Sequence, residues 1–368
     1  MSEEKRWQFE LEEYIRLGEP EQVERSEAWQ TAIGLQDVDG LKTSEYLLST
    51  AKEHIEGKIG IDEAQKRIQS YYEESGERAE VEARTKEADI VSARIAKLLG
   101  EKAFQFSPAE WISIHKRLFE GVFDHAGRIR TYNITKKEWV LKGETVFYSS
   151  WNSIKDTLDY DFNMEKQFSY EGLSLVDSVK HLAKFASDIW QIHPFCEGNT
   201  RATAVFLIKY MKSFGFEVNN DAFEHHSWYF RNALVRANYN DLKNEVYATT
   251  KFLEQFFSNL LMGTSFDLKN RYMHVEFSEE KKEKFQSANF DFSKCQNDTL
   301  KVTLNELAIL RQLVGKPEMT QIELAEKTGK SVRTLKREMD KLKEKGYIRR
   351  VNGKRNGRWE VLVDINKK

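Results

Sequence analysis

His193-Pro-Phe-Cys-Glu-Gly-Asn-Thr-Arg201 places an imidazole, a carboxylate, an amide and a guanidinium within nine consecutive residues. An imidazole that titrates near neutrality can take a proton from a hydroxyl. Glu197 offers hard oxygen atoms suited to Mg2+, and Asn199 and Arg201 can hold phosphate oxygens. Together they describe transfer of a phosphate-containing group onto a hydroxyl. Taken singly, each residue has a plain structural reading: a histidine after a buried helix can be a satisfied core residue, and Glu-Gly-Asn can be a helix cap. Their coincidence in one short run favours chemistry. Cys196 lies inside the run, but no oxyanion partner or second base accompanies it, so it reads as a small buried hydrophobe.

The flanking periodicity places this run on a loop. Val179, Leu182, Ala183, Phe185, Ala186, Ile189 and Trp190 form a helical apolar stripe before it, and Ala204, Val205, Leu207, Ile208 and Met211 form another after it. The first amides of the second helix have no intrahelical partners and carry the positive end of the macrodipole. They make a seat for an anion, most naturally phosphate.

The run resembles the signature of the Fic family, His-x-Phe-x-(Asp/Glu)-Gly-Asn-Gly-Arg-x-x-Arg, matching at His193, Phe195, Glu197, Gly198, Asn199 and Arg201. The likeness extends over roughly Phe104 to Phe257, and Phe123-Asp-His-Ala-Gly-Arg-Ile-Arg130 resembles the turn that precedes the active site in that family. The usual members move AMP from ATP to a protein hydroxyl. By the resemblance His193 is the general base, Glu197 the Mg2+ ligand, Gly198 and Asn199 part of the anion hole, Arg201 a phosphate contact and Phe195 a buried anchor. Two positions depart from the pattern. Thr200 replaces a Gly; it is counted with Gly198, Asn199 and Arg201 among the expected phosphate-binding residues, or acts as a cap for the helix that follows. Ala204 replaces a second Arg that grips the terminal phosphate of ATP, a charge-assisted contact worth about 1.5–3 kcal/mol. Either the triphosphate is held differently here, or the donor is not ATP in its usual pose.

At 368 residues the chain has material for two or three domains. Lys and Arg (57) nearly balance Asp and Glu (59), so overall charge gives no nucleic-acid or membrane bias. Four prolines and abundant helix formers favour a mainly α protein. Two distant cysteines do not make a disulfide framework, and no Cys or His spacing suits zinc. These features, with a polar beginning and no apolar run of membrane-spanning length, predict a cytoplasmic protein.

Residues 1–100 read as a helical extension, with apolar stripes over Trp7 to Leu17, Tyr46 to Glu56 and Ile61 to Tyr72. The stretch Thr43 to Tyr72 resembles the small antitoxin of certain Fic toxins. Its inhibitory Ser/Thr-x-x-x-Glu-Gly motif has only two imperfect counterparts: Thr31, with Leu35-Gln36 in place of Glu-Gly, and Thr85-Lys-Glu-Ala-Asp89. Regulation and ordinary packing both remain open for this layer.

Residues 101–275 read as the Fic-like catalytic domain. Within it, Glu138 to Tyr148 alternates β-branched and aromatic residues around Lys142-Gly143, which predicts a short hairpin. By the resemblance this is a flap, with Val140, Leu141, Val146 and Phe147 receiving a target segment as an added strand; a purely structural hairpin is the alternative. Ser227 to Tyr239 reads either as a nucleoside border, with Asn238 bonding and Tyr239 stacking on a base, or as helix packing.

Residues 276–298 form a polar linker, and 299–368 read as a winged helix-turn-helix: helices over Leu304 to Val314, Gln321 to Thr328 and Ser331 to Lys345, then two strands. Gly329 to Arg358 holds twelve Lys/Arg against three Asp/Glu. That patch suits DNA, with Arg333, Thr334 and Arg337 on the recognition helix and Lys354 and Arg355 on the wing. Protein docking or dimerisation is the alternative use of such a domain, and a homodimer is a further expectation.

The sequence thus predicts a Fic-type helical bundle with a small β-hairpin flap and a C-terminal winged helix. The expected activity is AMP transfer from ATP, with Mg2+, to a Ser, Thr or Tyr hydroxyl of a target protein. A nucleotide-sensing DNA-binding regulator is the competing expectation.

Overall fold

The structure, a computed structural model, describes residues 13–73, 80–214, 221–277, 302–351 and 357–363. Lys354 and Arg355, nearly all of the linker and the start of the first expected helix lie outside the described residues.

The protein is mainly helical. In the N-terminal layer, after the helical residues 13–17, the described residues form α1 (Pro20–Gly34), α2 (Glu45–Ile55), α3 (Ile61–Glu73) and α4 (Glu80–Gly100). Proline at the first turn of α1 and Ser44 capping α2 through the Leu47 N–H (3.1 Å) start two of them where the sequence supplies the chemistry. Trp29, Leu47, Ile55 and Ile68 are fully buried, so this layer shares the main core rather than floating beside it.

The middle of the chain forms α5 (Pro108–Phe119), α6 (Ile154–Gln167), α7 (Leu175–Ile192), α8 (Asn199–Ser213), α9 (Asp221–Ala237) and α10 (Lys251–Met262). Helix α8 is buried along nearly its whole length, contacting α4, α5, α7 and the 3-10 turn Leu35–Asp39. Trp111, Phe162, Phe185 and Phe195 interlock with Phe206 of α8 through one stacked and three edge-on pairs. Both ends of α8 are therefore fixed by surrounding helices, which is what a site on its N-terminus requires.

The C-terminal unit is a winged helix. Helices α11 (Leu304–Gly315), α12 (Gln321–Lys327) and α13 (Val332–Glu344) precede an antiparallel pair, β1 (Ile348–Val351) and β2 (Arg358–Val361). Thr303 and Thr320 each form a capping box with a glutamate three residues on. Leu307, Leu310, Leu324, Leu335, Met339 and Trp359 fill its interior.

The expected hairpin at Glu138 to Tyr148 does not form strands. A 3-10 turn, Trp139–Leu141, is closed by Gly143 N–H to Glu138 O (3.0 Å) and by Glu138 N–H to Glu144 O (2.9 Å). The turn residues were correctly legible, since Lys142 and Gly143 both take positive φ. What prevents a strand is tertiary. Glu138 is buried and paired with Arg231 of α9 (2.6 Å), and the Val140 carbonyl accepts from Val275 N–H (2.9 Å). Val140, Leu141 and Val146 are consequently core residues, and of the four expected docking residues only Phe147, 82% exposed, faces outward.

Candidate active site

Ser174 caps α7 through the Asp177 N–H (3.1 Å), and an apolar face from Leu175 to Ile192 buries it. The helix stops at His193, which adopts the left-handed conformation (φ 48°, ψ 58°) and turns the chain into the loop. For a residue with a Cβ this conformation costs roughly 1–2 kcal/mol and persists only where the surroundings hold it. The imidazole is 3% exposed, under Tyr148 (ring centroids 4.1 Å) and edge-on to Trp190 (5.0 Å). Its Nδ1 lies 3.2 Å from the Trp190 carbonyl. A carbonyl only accepts, so Nδ1 carries the proton and Nε2 keeps its lone pair. Burial above all, then the nearby positive charge of Lys136, holds the histidine well below its ordinary pKa, against the opposing pull of the Trp190 carbonyl. The ring is therefore neutral at pH 7, with one basic nitrogen available.

The loop is held from three directions. Arg130 reaches in from the 123–130 turn: its Nε donates to the His193 carbonyl (2.8 Å), Nη1 to Tyr132 O (2.7 Å), and Nη2 to the Ser149 and Ile192 carbonyls. The Arg130 N–H also donates to Pro194 O (2.8 Å). Asn199 closes the loop on itself, its Oδ1 accepting from Phe195 N–H (2.9 Å) and its Nδ2 donating to Phe195 O (2.7 Å). His115 of α5 stacks on Phe195 (3.6 Å, 13°), donates from Nε2 to the Glu197 carbonyl and accepts from Gly127 N–H at Nδ1, both at 2.9 Å. Burial lowers the His115 pKa to about 4, so it serves as a neutral brace.

Gly198 begins α8 with φ 76°, and a Cβ there would meet Phe119 Cε2 at 2.4 Å. Glycine is required both by the backbone and by the ring beside it. The amides of the first turn of α8 then have no intrahelical acceptor, which leaves them for an anion as the sequence predicts. Thr200 does not cap; its Oγ1 accepts from Trp190 Nε1 (3.0 Å) and so ties α8 to α7.

Two expected phosphate contacts are differently employed. The Asn199 side chain is spent on the loop itself. Arg201 is 2% exposed and turned toward the N-terminal layer: Nη2 donates to Glu87 (2.6 Å), Nη1 to Gln36 (3.1 Å), and Nε lies 2.8 Å from Asp39. A buried guanidinium needs such partners, and the side chain expected to contact phosphate directs its donors at the N-terminal layer. Gln36 and Glu87 fall within the two motif-like segments at Thr31 and Thr85, but neither segment supplies the anticipated terminal acid. Leu35 is core, and Asp89 is buried against Ser44 and Tyr72.

Glu197 is outward, 54% exposed in its side chain, and pairs with Lys136 Nζ at 2.7 Å. Among the described residues no group of three or more His, Cys, Asp or Glu converges to cage a metal. Glu197 is a single hard carboxylate, so a Mg2+ held there would take its remaining ligands from outside the protein. Such an ion would compete with Lys136 for that carboxylate.

The expected nucleoside residues divide. Asn238 Nδ2 donates to Ser187 Oγ (2.9 Å) and Leu234 O (3.0 Å), clasping the end of α9 to α7, so that amide group is not offered to a base. Tyr239 is half-buried beside it. A cavity of about 430 Å³ is lined by Glu13, Tyr14, Leu17, Gly18, Gln22 and Lys52, and one of about 170 Å³ by Gln65, Arg94, Lys97, Leu98, Arg117 and Glu120; no loop residue lines either. Tyr132 and Lys136 meet the loop at Cys196 and Glu197. Arg333 and Arg337 are exposed on α13, with Thr334 partly so. Sequence reasoning gave no role to Arg130, His115, Lys136 or Tyr148, although Arg130 and Tyr148 fell within two short stretches the family likeness had marked, the 123–130 turn and the 138–148 segment.

Residues 105–211 match the Fic/DOC family, and residues 303–349 match a family of winged helix-turn-helix DNA-binding domains. The chain is similar to a probable protein adenylyltransferase Fic of Escherichia coli (strain K12), with 25% identity over 116 residues, 32% of this chain and 55% of that protein. It thus spans about half the length of that curated relative. A crystal structure of a Fic family protein from Desulfovibrio desulfuricans G20 aligns over 98% of this chain and 96% of that one, at 14% identity and a TM-score of 0.44. No described helix is long and apolar enough to cross a membrane.

Proposed function

With a Fic domain at residues 105–211 and a winged helix at 303–349, we propose that this chain is a nucleotidylyltransferase that moves AMP from ATP to a Ser, Thr or Tyr hydroxyl of a target protein. The observation that carries the reading is the state of His193: buried, neutral, with Nδ1 fixed on the Trp190 carbonyl and Nε2 left basic. In the proposed step the target hydroxyl oxygen attacks the α-phosphorus, its proton passes to Nε2, and the bond to the pyrophosphate breaks. The first-turn amides of α8, from Asn199, Thr200 and Arg201, face the developing charge. A Mg2+ held by Glu197 would neutralise charge on the phosphates when bound. In the same proposal the chain divides at residues 100, 275 and 298.

A second reading has its own support. His193 is almost covered, Arg201 is fully engaged, and the chain carries a winged helix, as a nucleotide-sensing DNA-binding regulator would. Incubation with labelled ATP, Mg2+ and cell lysate separates the two. Label transferred to protein and lost in His193→Ala supports the transferase. Nucleotide binding without transfer, together with sequence-specific DNA binding, favours the regulator.

A further inference from the structure

The recognition helix of the winged domain, exposed along much of its outer face, meets the Fic domain through one of its arginines. Arg337, one of the residues suited to reading DNA, donates from Nη2 to Glu171 Oε1 at 2.8 Å, across 166 residues of sequence. Glu171 belongs to the Fic-side loop between α6 and α7. That loop is anchored by Tyr170, whose hydroxyl donates to the buried Glu165 (2.7 Å), a carboxylate that also accepts from Tyr210 of α8 (2.6 Å) and contacts His181 of α7 (2.6 Å). Glu171 is therefore presented from a fixed base.

A second contact lies at the start of the same helix. Gly329, in the turn between α12 and α13, sits so close to the last residue of α8 that a Cβ on it would stand 2.9 Å from the Ser213 carbonyl. A helix-turn-helix reads bases through the N-terminal part of its recognition helix, laid in a major groove about 12 Å wide. Arg333 and Arg337, four residues apart, share one face of α13. With the end of α8 in van der Waals contact before that helix and Glu171 on Arg337 within it, a duplex and the Fic domain require the same space.

We propose that the Fic domain and duplex DNA are competing ligands of the winged helix, with Glu171 occupying the place of a DNA phosphate or base acceptor on Arg337. DNA binding then requires α13 to leave the 170–173 loop and the end of α8. This rests on the reading of the winged helix as a DNA binder.

The test is the affinity of the full chain for a mixed-sequence duplex at low salt, by fluorescence anisotropy, in wild type, Glu171→Gln and Glu171→Lys. Glu144→Gln controls for the simple loss of a negative charge. Freeing an exposed ion pair should tighten binding on the order of threefold in Glu171→Gln, and further in Glu171→Lys, with Glu144→Gln close to wild type. Hydrogen exchange of the 170–173 segment should rise when DNA is added. DNA binding that is equal in all four proteins, with no change in exchange at that segment, overturns the competition while leaving the winged helix a DNA binder. Absence of binding in every variant overturns both.

Discussion

Arg130→Met isolates what holds the loop. The guanidinium serves four carbonyls, of which His193 and Ile192 are buried, whereas Tyr132 and Ser149 lie in partly exposed surroundings that water can reach. Methionine fills much of the same volume and donates nothing. Each buried carbonyl left without a donor costs about 1–3 kcal/mol, so two cost about 2–6 kcal/mol. One term opposes this: Arg130 faces neutral acceptors in these bonds, burial lowers its pKa, and removing it returns part of the desolvation of its charge. The net loss should be about 2–3 kcal/mol. It is measured as a shift of the urea midpoint reported by fluorescence of the buried Trp111 and Trp190, at unchanged slope. Label transfer should fall more steeply than stability, since the left-handed turn at His193 depends on the same clamp. A midpoint shift equivalent to less than about 0.5 kcal/mol, within the range of ordinary surface substitutions, would show that the carbonyls find other donors and that Arg130 is not the clamp.

Gly198→Ala should cost about 2–4 kcal/mol, from the left-handed backbone and the collision with Phe119, and should abolish transfer; thermal unfolding checks the first part. Thr200→Val removes the acceptor of the buried Trp190 N–H and should lower stability by about 1–2 kcal/mol, read from the same urea transition. The folded chain keeps His115 neutral down to about pH 4, whereas the unfolded chain takes up that proton near 6.5. Between those values the unfolded state binds more protons, so stability falls on acidification, by up to about 3 kcal/mol at pH 4, and unfolding midpoints of His115→Gln should lose that part of the slope. Because the His193 pKa is also lowered, by burial first, protonation of the base should not reduce the transfer rate as pH falls from 8 to 7.

The helices were legible because their apolar stripes recur at helical spacing and their caps sit in sequence: Ser331 before α13 and the Thr303–Glu306 box before α11 are local signals read locally. The loop was legible for the same reason, as its capable residues are consecutive. The parts that hold it were not. His115 reaches the loop across 82 residues and Lys136 across 61, and neither position has a local pattern that marks it. The segment around Lys142 shows the limit most plainly. Its turn at Lys142-Gly143 was legible, but the alternation could not reveal that a buried Glu138–Arg231 pair and the 275 backbone would draw Val140, Leu141 and Val146 into the core while Phe147 stays outside.

Ala204 acquires a physical reason from its surroundings. It lies three residues beyond Arg201, on the face of α8 that meets the Leu35–Asp39 turn and α4, and it is fully buried. Arg201 already occupies the acceptors of that interface, Asp39, Gln36 and Glu87. A second arginine at 204 would bring another cation beneath the same dry layer with its carboxylates taken, and burying an uncompensated charge costs several kcal/mol. The small residue and the acid-rich turn are thus two halves of one packing solution: the N-terminal layer closes tightly on α8 because one cation, not two, has to be neutralised there. A consequence follows for any donor nucleotide. Among the described residues this buried face of α8 has no free guanidinium to extend toward a terminal phosphate, and the lysine that meets the loop, Lys136, pairs with Glu197.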